Sequence, residues 1–122
     1  MGITRGGRRI GTLYNVSFDD GLTNTMVTDI TGGPGTLYSV DVDAGAGNLY
    51  LKFYDATAPV LGTTVPLMGF LIPSGTNFTL SLPEGIPFAN SISYAATSTS
   101  CDASETGGYG ATSTMRIVAS NS

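Results

Sequence analysis

The feature that most constrains this fold is a two-residue alternation of apolar and polar side chains, repeated in short runs. In NLYLKFYD, residues 48–55, the apolar face would be Leu49, Leu51 and Phe53. Because successive side chains of a strand point to opposite faces, such a run predicts a strand with one buried face. Equivalent runs predict further inward-facing side chains: Tyr38, Val40, Val42, Met68, Phe70, Ile72, Phe78, Leu80, Leu82, Ile92, Tyr94, Ala96, Met115 and Ile117.

Turn-forming segments separate these runs, and no segment carries the apolar period of a helix. The separators are TGGPG, DAGAGN, ATAPVLGTTVP, IPSGTN, PEGIP and ETGGYG, each with the Gly or Pro that a chain reversal requires. Gln is absent and Lys occurs once, so long helix-forming side chains are scarce. Short strands between such turns predict an all-β fold, an antiparallel β-sandwich that is jelly-roll-like.

The first thirty residues differ from the rest of the chain. Residues 1–30 are predicted to be an extended N-terminal arm with weak strands, and residues 31–122 the sandwich domain. The arm carries Arg5, Arg8 and Arg9, three of the five basic residues. They are either a solvated tail or a contact that docks on an acidic neighbour.

The remaining charge is acidic, which argues against nucleic acid as a partner. The net charge is −4, and after Ile10 only Lys52 and Arg116 are basic. A nucleic-acid surface needs clustered Lys and Arg to neutralise phosphates. No run approaches the ~20 apolar residues of a membrane span. The N-terminus lacks the apolar region of a secretion signal, and we expect Met1 to start an unprocessed chain.

The common catalytic groups are poorly supplied. The chain has no His, and Cys101 lies in no recognisable nucleophile signature. Two carboxylate pairs, at residues 19–20 and 41–43, could serve a hydrolase, but a solvated strand face explains the second pair without further function. We expect a protein that is not an enzyme and that uses no cofactor.

Calcium is a second ligand to consider for the acidic residues at 41–48. The segment DVDAGAGN offers oxygen ligands from Asp41, Asp43 and Asn48, but it lacks the order of an EF-hand loop. Turn-forming Asp and Asn account for the same residues. We therefore assign no metal site.

A combination of motifs over residues 48–106 resembles a group of small structural proteins of tailed phages. A Tyr-Leu-Lys strand is followed by a loop with Ala-Pro, Gly-Thr and Pro, then by a Pro-terminated strand, a Pro-x-Gly-Ile-x-Phe motif and a Thr-rich strand. The matching residues are Tyr50, Leu51, Lys52, Tyr54, Ala58, Pro59, Gly62, Thr63, Pro66, Pro73, Pro83, Gly85, Ile86, Phe88, Thr97 and Asp102.

This resemblance implies a β-sandwich virion protein, in particular a capsid cement or decoration protein. Such a protein stabilises the shell by bridging subunits of the major capsid protein. The expected assembly is a homo-oligomer, a trimer at a symmetry axis of the shell. The expected location is the outer capsid surface, after synthesis in the cytoplasm of the bacterial host.

The loop DATAPVLGTTVPL would supply the contact. It carries Val60, Leu61 and Val65 among turn residues, and these side chains either tuck under the sandwich or anchor a neighbouring subunit. Pro59 and Pro66 restrict the loop and lower the entropy lost on binding.

The alternative function is a tail, fibre or carbohydrate-binding module that recognises a host surface. In that case Tyr38, Tyr50, Tyr54 and Tyr109 would offer aromatic rings on which sugars stack.

Overall fold

The computed structural model describes residues 13–109 and 113–121, with side-chain positions from residue 17 onward. The described chain contains seven strands and no helix. The strands are β1 (Leu13–Asp19), β2 (Gly35–Asp43), β3 (Leu49–Asp55), β4 (Met68–Ile72), β5 (Asn77–Phe88), β6 (Ile92–Thr97) and β7 (Thr114–Asn121). No helix in this part of the protein is long and apolar enough to cross a membrane.

The strands form two antiparallel sheets. The four-stranded sheet has the order β1-β7-β2-β5, and the three-stranded sheet has the order β4-β3-β6. Their inner faces enclose one apolar core. The predicted all-β antiparallel sandwich is therefore confirmed, and its jelly-roll detail stays a prediction.

The core follows the alternation in the sequence. In β3, Leu49, Leu51 and Phe53 are fully buried. The same holds for inward positions of β6 and β7: Ile92, Tyr94, Ala96, Met115 and Ile117. Met68, Phe70, Phe78, Leu80 and Leu82 pack against this core from its edge. An apolar side chain that leaves water contributes about 1.5–3 kcal/mol, so these faces hold the sheets together.

Strand β2 departs from the predicted alternation at Tyr38. The register shifts between Leu37 and Ser39, which oppose the adjacent residues Ala119 and Val118 of β7. This is a bulge, in which one strand contributes an extra residue. Leu37 and Val40 consequently both face the core, and Tyr38 is only partly buried instead of pointing inward as predicted.

The described part of the predicted arm belongs to the sandwich. β1 pairs with β7 along its whole length, and Leu22 is buried in the core. A strand from residues 1–30 is therefore part of the four-stranded sheet, and the domain boundary predicted at residue 30 stays a prediction. The expectation for residues 1–12 lies outside the described residues.

The two edges of the three-stranded sheet differ. Beside β6, the main chain of Val27 exchanges two 2.9 Å hydrogen bonds with Tyr94, and Ile30 N donates another to Ile92 O. This irregular segment covers the edge of β6. On the other side, β4 pairs with β3 alone among the described strands, so its outer edge is open. An open edge presents unpaired main-chain groups.

Candidate functional site

The predicted contact loop is a tight turn with defined geometry. The Val60 carbonyl oxygen accepts hydrogen bonds from Thr63 N (3.1 Å) and Thr64 N (2.9 Å). Thr64 Oγ1 in turn accepts a 2.8 Å bond from Val60 N. Gly62 has φ +92°, a conformation that other residues rarely adopt. The loop is thus held in one shape by hydrogen bonds among its own residues.

Apolar side chains of this loop face solvent. Val60 is 58% exposed and Val65 is 74% exposed, whereas Leu61 is half-buried. Two further exposed leucines follow, Leu67 just before β4 and Leu71 within it. We call Val60, Val65, Leu67 and Leu71 the contact surface. Val60 and Val65 therefore do not tuck under the sandwich, which was one of the two predicted alternatives. Their side chains are free to contact a neighbouring subunit, as the other alternative requires.

The contact surface lies in a stretch without charge. Residues 56–83 contain no Asp, Glu, Lys or Arg, and the stretch includes the open edge strand β4. Proteins usually protect such an edge with a charged side chain, often Lys. An edge without this protection, beside exposed Val and Leu, is suited to contact with another protein surface.

The outer face of the three-stranded sheet is covered around Lys52, which the sequence did not indicate. Lys52 points away from the core, yet it is 0% exposed. Its Nζ donates hydrogen bonds to the carbonyl oxygens of Asp102 (2.7 Å) and Glu105 (3.0 Å). Burial lowers the pKa of Lys52. Residues 98–109 therefore form a cover over the sheet, with a buried cation beneath it.

The cover also involves Cys101 and Tyr54. Cys101 Sγ lies 3.9 Å from the carbonyl oxygens of Leu51 and Phe70, and burial raises the pKa of this thiol. The Tyr54 hydroxyl is buried and has no hydrogen-bond partner in the described protein. Its pKa is also raised by burial. A thiol whose pKa is raised is a poor nucleophile, so its surroundings favour a packing role for Cys101.

Asp19 lies on the opposite face of the four-stranded sheet from Asp41 and Asp43, two other acidic residues considered for catalysis or calcium. Asp19 accepts a 2.8 Å hydrogen bond from the Tyr94 hydroxyl, whose pKa is strongly raised by burial and then by this bond. Asp41 and Asp43 of β2 lie two residues apart on the outer face of this sheet, opposite Arg116 and Thr114 of β7. Asn48 Oδ1 accepts a bond from Ser74 N, so it joins two turns. Within the described ranges, no three His, Cys, Asp or Glu side chains are grouped to hold a metal.

The four tyrosines proposed for sugar stacking do not share a surface. Tyr54 and Tyr109 are buried, and Tyr38 and Tyr50 are partly buried. The Tyr109 hydroxyl is 2.8 Å from the Ser113 hydroxyl. The predicted stacking platform is therefore wrong for Tyr54 and Tyr109.

The predicted basic contact lies outside the described residues. Arg5, Arg8 and Arg9 all precede residue 13, and their role stays a prediction.

Comparison with known proteins gives no family for this chain. No family model and no curated protein matches it. A solved Bacillus structure, from work on endospore appendages that form a family of disulfide-linked pili, is similar at a TM-score of 0.47 and 10% sequence identity. The match covers 98% of this chain and 93% of that one. At this level the likeness supports no inference about function.

Proposed function

We propose that the protein is a non-catalytic structural module of a phage virion, a cement or decoration protein of the capsid. It bridges major capsid protein subunits on the outer surface of the shell and assembles there as a homotrimer. The observation that carries the proposal is the contact surface, in which exposed Val and Leu lie on a stiff turn and on an open edge strand.

Docking of the contact surface costs little conformational entropy. The turn at residues 60–64 is ordered by its own hydrogen bonds, so little freedom remains to be lost on binding. Apolar side chains that become covered contribute roughly 25 cal/mol per Å² of area removed from water. Small contacts of this kind, repeated by symmetry over a shell, stabilise the assembly.

The test compares capsids stripped of the protein with capsids to which it is added back. Stripped capsids should release DNA at a lower temperature, and the purified chain should restore the higher temperature. The variant Val65→Asp should fail to rebind, because burying an unpaired carboxylate is costly. Ser81→Asp is the matched control, since Ser81 is exposed on the other sheet and should rebind normally.

Two results would contradict this function. Equal heat resistance of stripped and decorated capsids would exclude a cementing role. Rebinding of Val65→Asp as tightly as the native chain would exclude the contact surface as the docking site. The mass of the free protein in sedimentation equilibrium checks the trimer separately.

A further inference from the structure

A second candidate surface lies on the outer face of the four-stranded sheet. The strand register places Phe18 of β1 opposite Arg116 of β7, Arg116 opposite Asp41 of β2, and Asp41 opposite Thr79 of β5. One transverse row across all four strands therefore presents an aromatic ring, a guanidinium group, a carboxylate and a hydroxyl.

A parallel row completes the surface. Asp43 of β2 is opposite Thr114 of β7 and Asn77 of β5. The two rows line an open depression of about 410 Å³. We call this depression the sheet-face site. Its lining combines apolar area with acceptors and donors at fixed strand spacing.

The polar side chains of the sheet-face site have no partners within the described chain. Arg116 and Asp41 are directly opposite each other, yet no ion pair joins them. None of the six polar side chains makes a side-chain hydrogen bond to another described residue: Asp41, Asp43, Asn77, Thr79, Thr114 and Arg116. Some acidic side chains elsewhere do accept hydrogen bonds. Asp55, for example, accepts a 2.8 Å bond from Asn90 N.

Phe18 is the exposed apolar element of the site. It is 54% exposed, and it is the one aromatic ring among the large hydrophobic side chains that the described chain exposes. An exposed ring beside polar groups provides a flat apolar platform with hydrogen-bonding groups at its edge. A ligand that matches it needs one apolar face and many hydroxyl groups.

The charges of the site exclude other ligand classes. Asp41 and Asp43 against Arg116 leave a local charge of −1, which disfavours phosphate and nucleic acid. Among the described residues, no three His, Cys, Asp or Glu side chains are grouped to hold a divalent cation. A protein interface usually has a larger apolar centre than one Phe.

We propose that the sheet-face site binds a neutral saccharide. One sugar ring stacks on Phe18. The guanidinium group of Arg116 donates hydrogen bonds to sugar oxygens, and the carboxylates of Asp41 and Asp43 accept them from sugar hydroxyls. Thr79 and Asn77 contact the next ring along β5.

This site is separate from the contact surface. Phe18 belongs to the four-stranded sheet, whereas Leu67 and Leu71 are at or in β4 of the three-stranded sheet. A copy docked through the contact surface therefore leaves the sheet-face site open. The saccharide proposal does not depend on capsid binding and can fail or succeed alone.

In the experiment, the full chain is titrated with neutral hexasaccharides of glucose, mannose and N-acetylglucosamine. Binding is monitored through changes in the amide chemical shifts of the protein. We expect at least one of them to bind in the millimolar range or tighter. The shift changes should concentrate at Phe18, Asp41, Thr79 and Arg116.

Variants then test the assignment. Phe18→Ala should weaken binding about tenfold, and Phe18→Tyr should retain it because the ring remains. Leu71→Ala is the control, with an equally exposed apolar side chain on the other sheet. Asp41→Asn leaves the ring intact and should also weaken binding. Thermal unfolding shows that each variant is folded.

Three results would overturn the proposal. The first is no binding of any of the three saccharides. The second is binding that Phe18→Ala leaves unchanged. The third is a change in oligomeric state in Phe18→Ala without a change in saccharide binding, which would make this face an interface between copies.

Discussion

The Lys52 ammonium group lies 2.7 Å from the carbonyl oxygen of Asp102, although the two residues are 50 positions apart in sequence. This bond, together with one to Glu105, attaches the cover of residues 98–109 to the centre of the three-stranded sheet. The attachment uses main-chain carbonyl oxygens, so the shape of the cover and not its side chains satisfies the buried cation.

Replacement of Lys52 should destabilise the protein through this cover. Lys52→Met keeps most of the side-chain volume, but Glu105 O loses the donor Lys52 Nζ and Asp102 O keeps only its bond from Glu105 N, at a cost of about 1–3 kcal/mol. Lys52→Ala also opens a cavity and should cost about 2–5 kcal/mol. Urea unfolding measures both free energies, and amide exchange should become faster at Glu105, whose N–H is bonded to Asp102.

Arg116 provides the control for Lys52. It is a cation on the exposed face of β7, so Arg116→Met should change the free energy of unfolding by no more than about 0.5 kcal/mol. A Lys52→Met variant as stable as Arg116→Met would show that the cover does not depend on Lys52.

Loss of the hydroxyl group should raise the free energy of unfolding at one tyrosine and lower it at another. The buried Tyr54 hydroxyl has no partner in the described chain, so Tyr54→Phe should stabilise the fold by up to about 1 kcal/mol. The Tyr94 hydroxyl donates to Asp19, so Tyr94→Phe should destabilise it by about 1–3 kcal/mol. The denaturant midpoint of each variant is compared with that of the native chain. A shift in the same direction for both variants would be incompatible with these hydrogen-bonding patterns.

Gly69 is required because Cys101 packs directly on it. A Cβ at position 69 would lie 2.6 Å from Cys101 Sγ and 2.7 Å from Cys101 Cβ. Gly69→Ala should therefore destabilise the protein by about 1–3 kcal/mol. In the Cys101→Gly background the same substitution should cost much less, and a double-mutant cycle measures this coupling. Equal costs in both backgrounds would mean that the two residues do not share the space.

The Cys101 thiol should make stability depend on alkaline pH. Burial raises the pKa of Cys101 in the folded state, so the folded protein holds this proton more tightly than the unfolded chain. Its contribution to stability is present below the ordinary thiol pKa of about 8.5 and is lost as pH rises above it. The native chain should lose more stability than Cys101→Ala between about pH 8 and 9.5, a range below the ordinary tyrosine pKa.

Thiol modification measures the same effect directly. An aromatic disulfide reagent should react with folded Cys101 much more slowly than with the urea-unfolded chain at the same pH. Two results together would contradict a raised thiol pKa. They are parallel curves of stability against pH for the native chain and Cys101→Ala, and equal rates of thiol reaction in the folded and unfolded chain.

The sandwich could be predicted because its core follows a simple rule. Leu49, Leu51 and Phe53 alternate strictly and are buried, as are Met115 and Ile117. The bulge at Tyr38 could not be predicted, because the extra residue depends on how β2 fits β7 and not on β2 alone.

The candidate sites were predicted less completely. For Val60 and Val65 the sequence left two alternatives open, because a loop rich in Pro and Gly does not show which side chains fold under the sandwich. Burial of Lys52 and Tyr54 was missed, since the outer face of β3 is covered by residues that come some fifty positions later. Phe18 was missed because its neighbours Arg116 and Asp41 come together only through strand pairing.

The pairing of β1 with β7 places Leu13 opposite Asn121. Peptides genetically joined before β1 and after β7 would consequently leave the sandwich from the same corner, a few ångströms apart. The two halves of a split epitope or reporter, one fused at each of these positions, would be held next to each other without a linker that crosses the domain. The fold is therefore suited to use as a display scaffold.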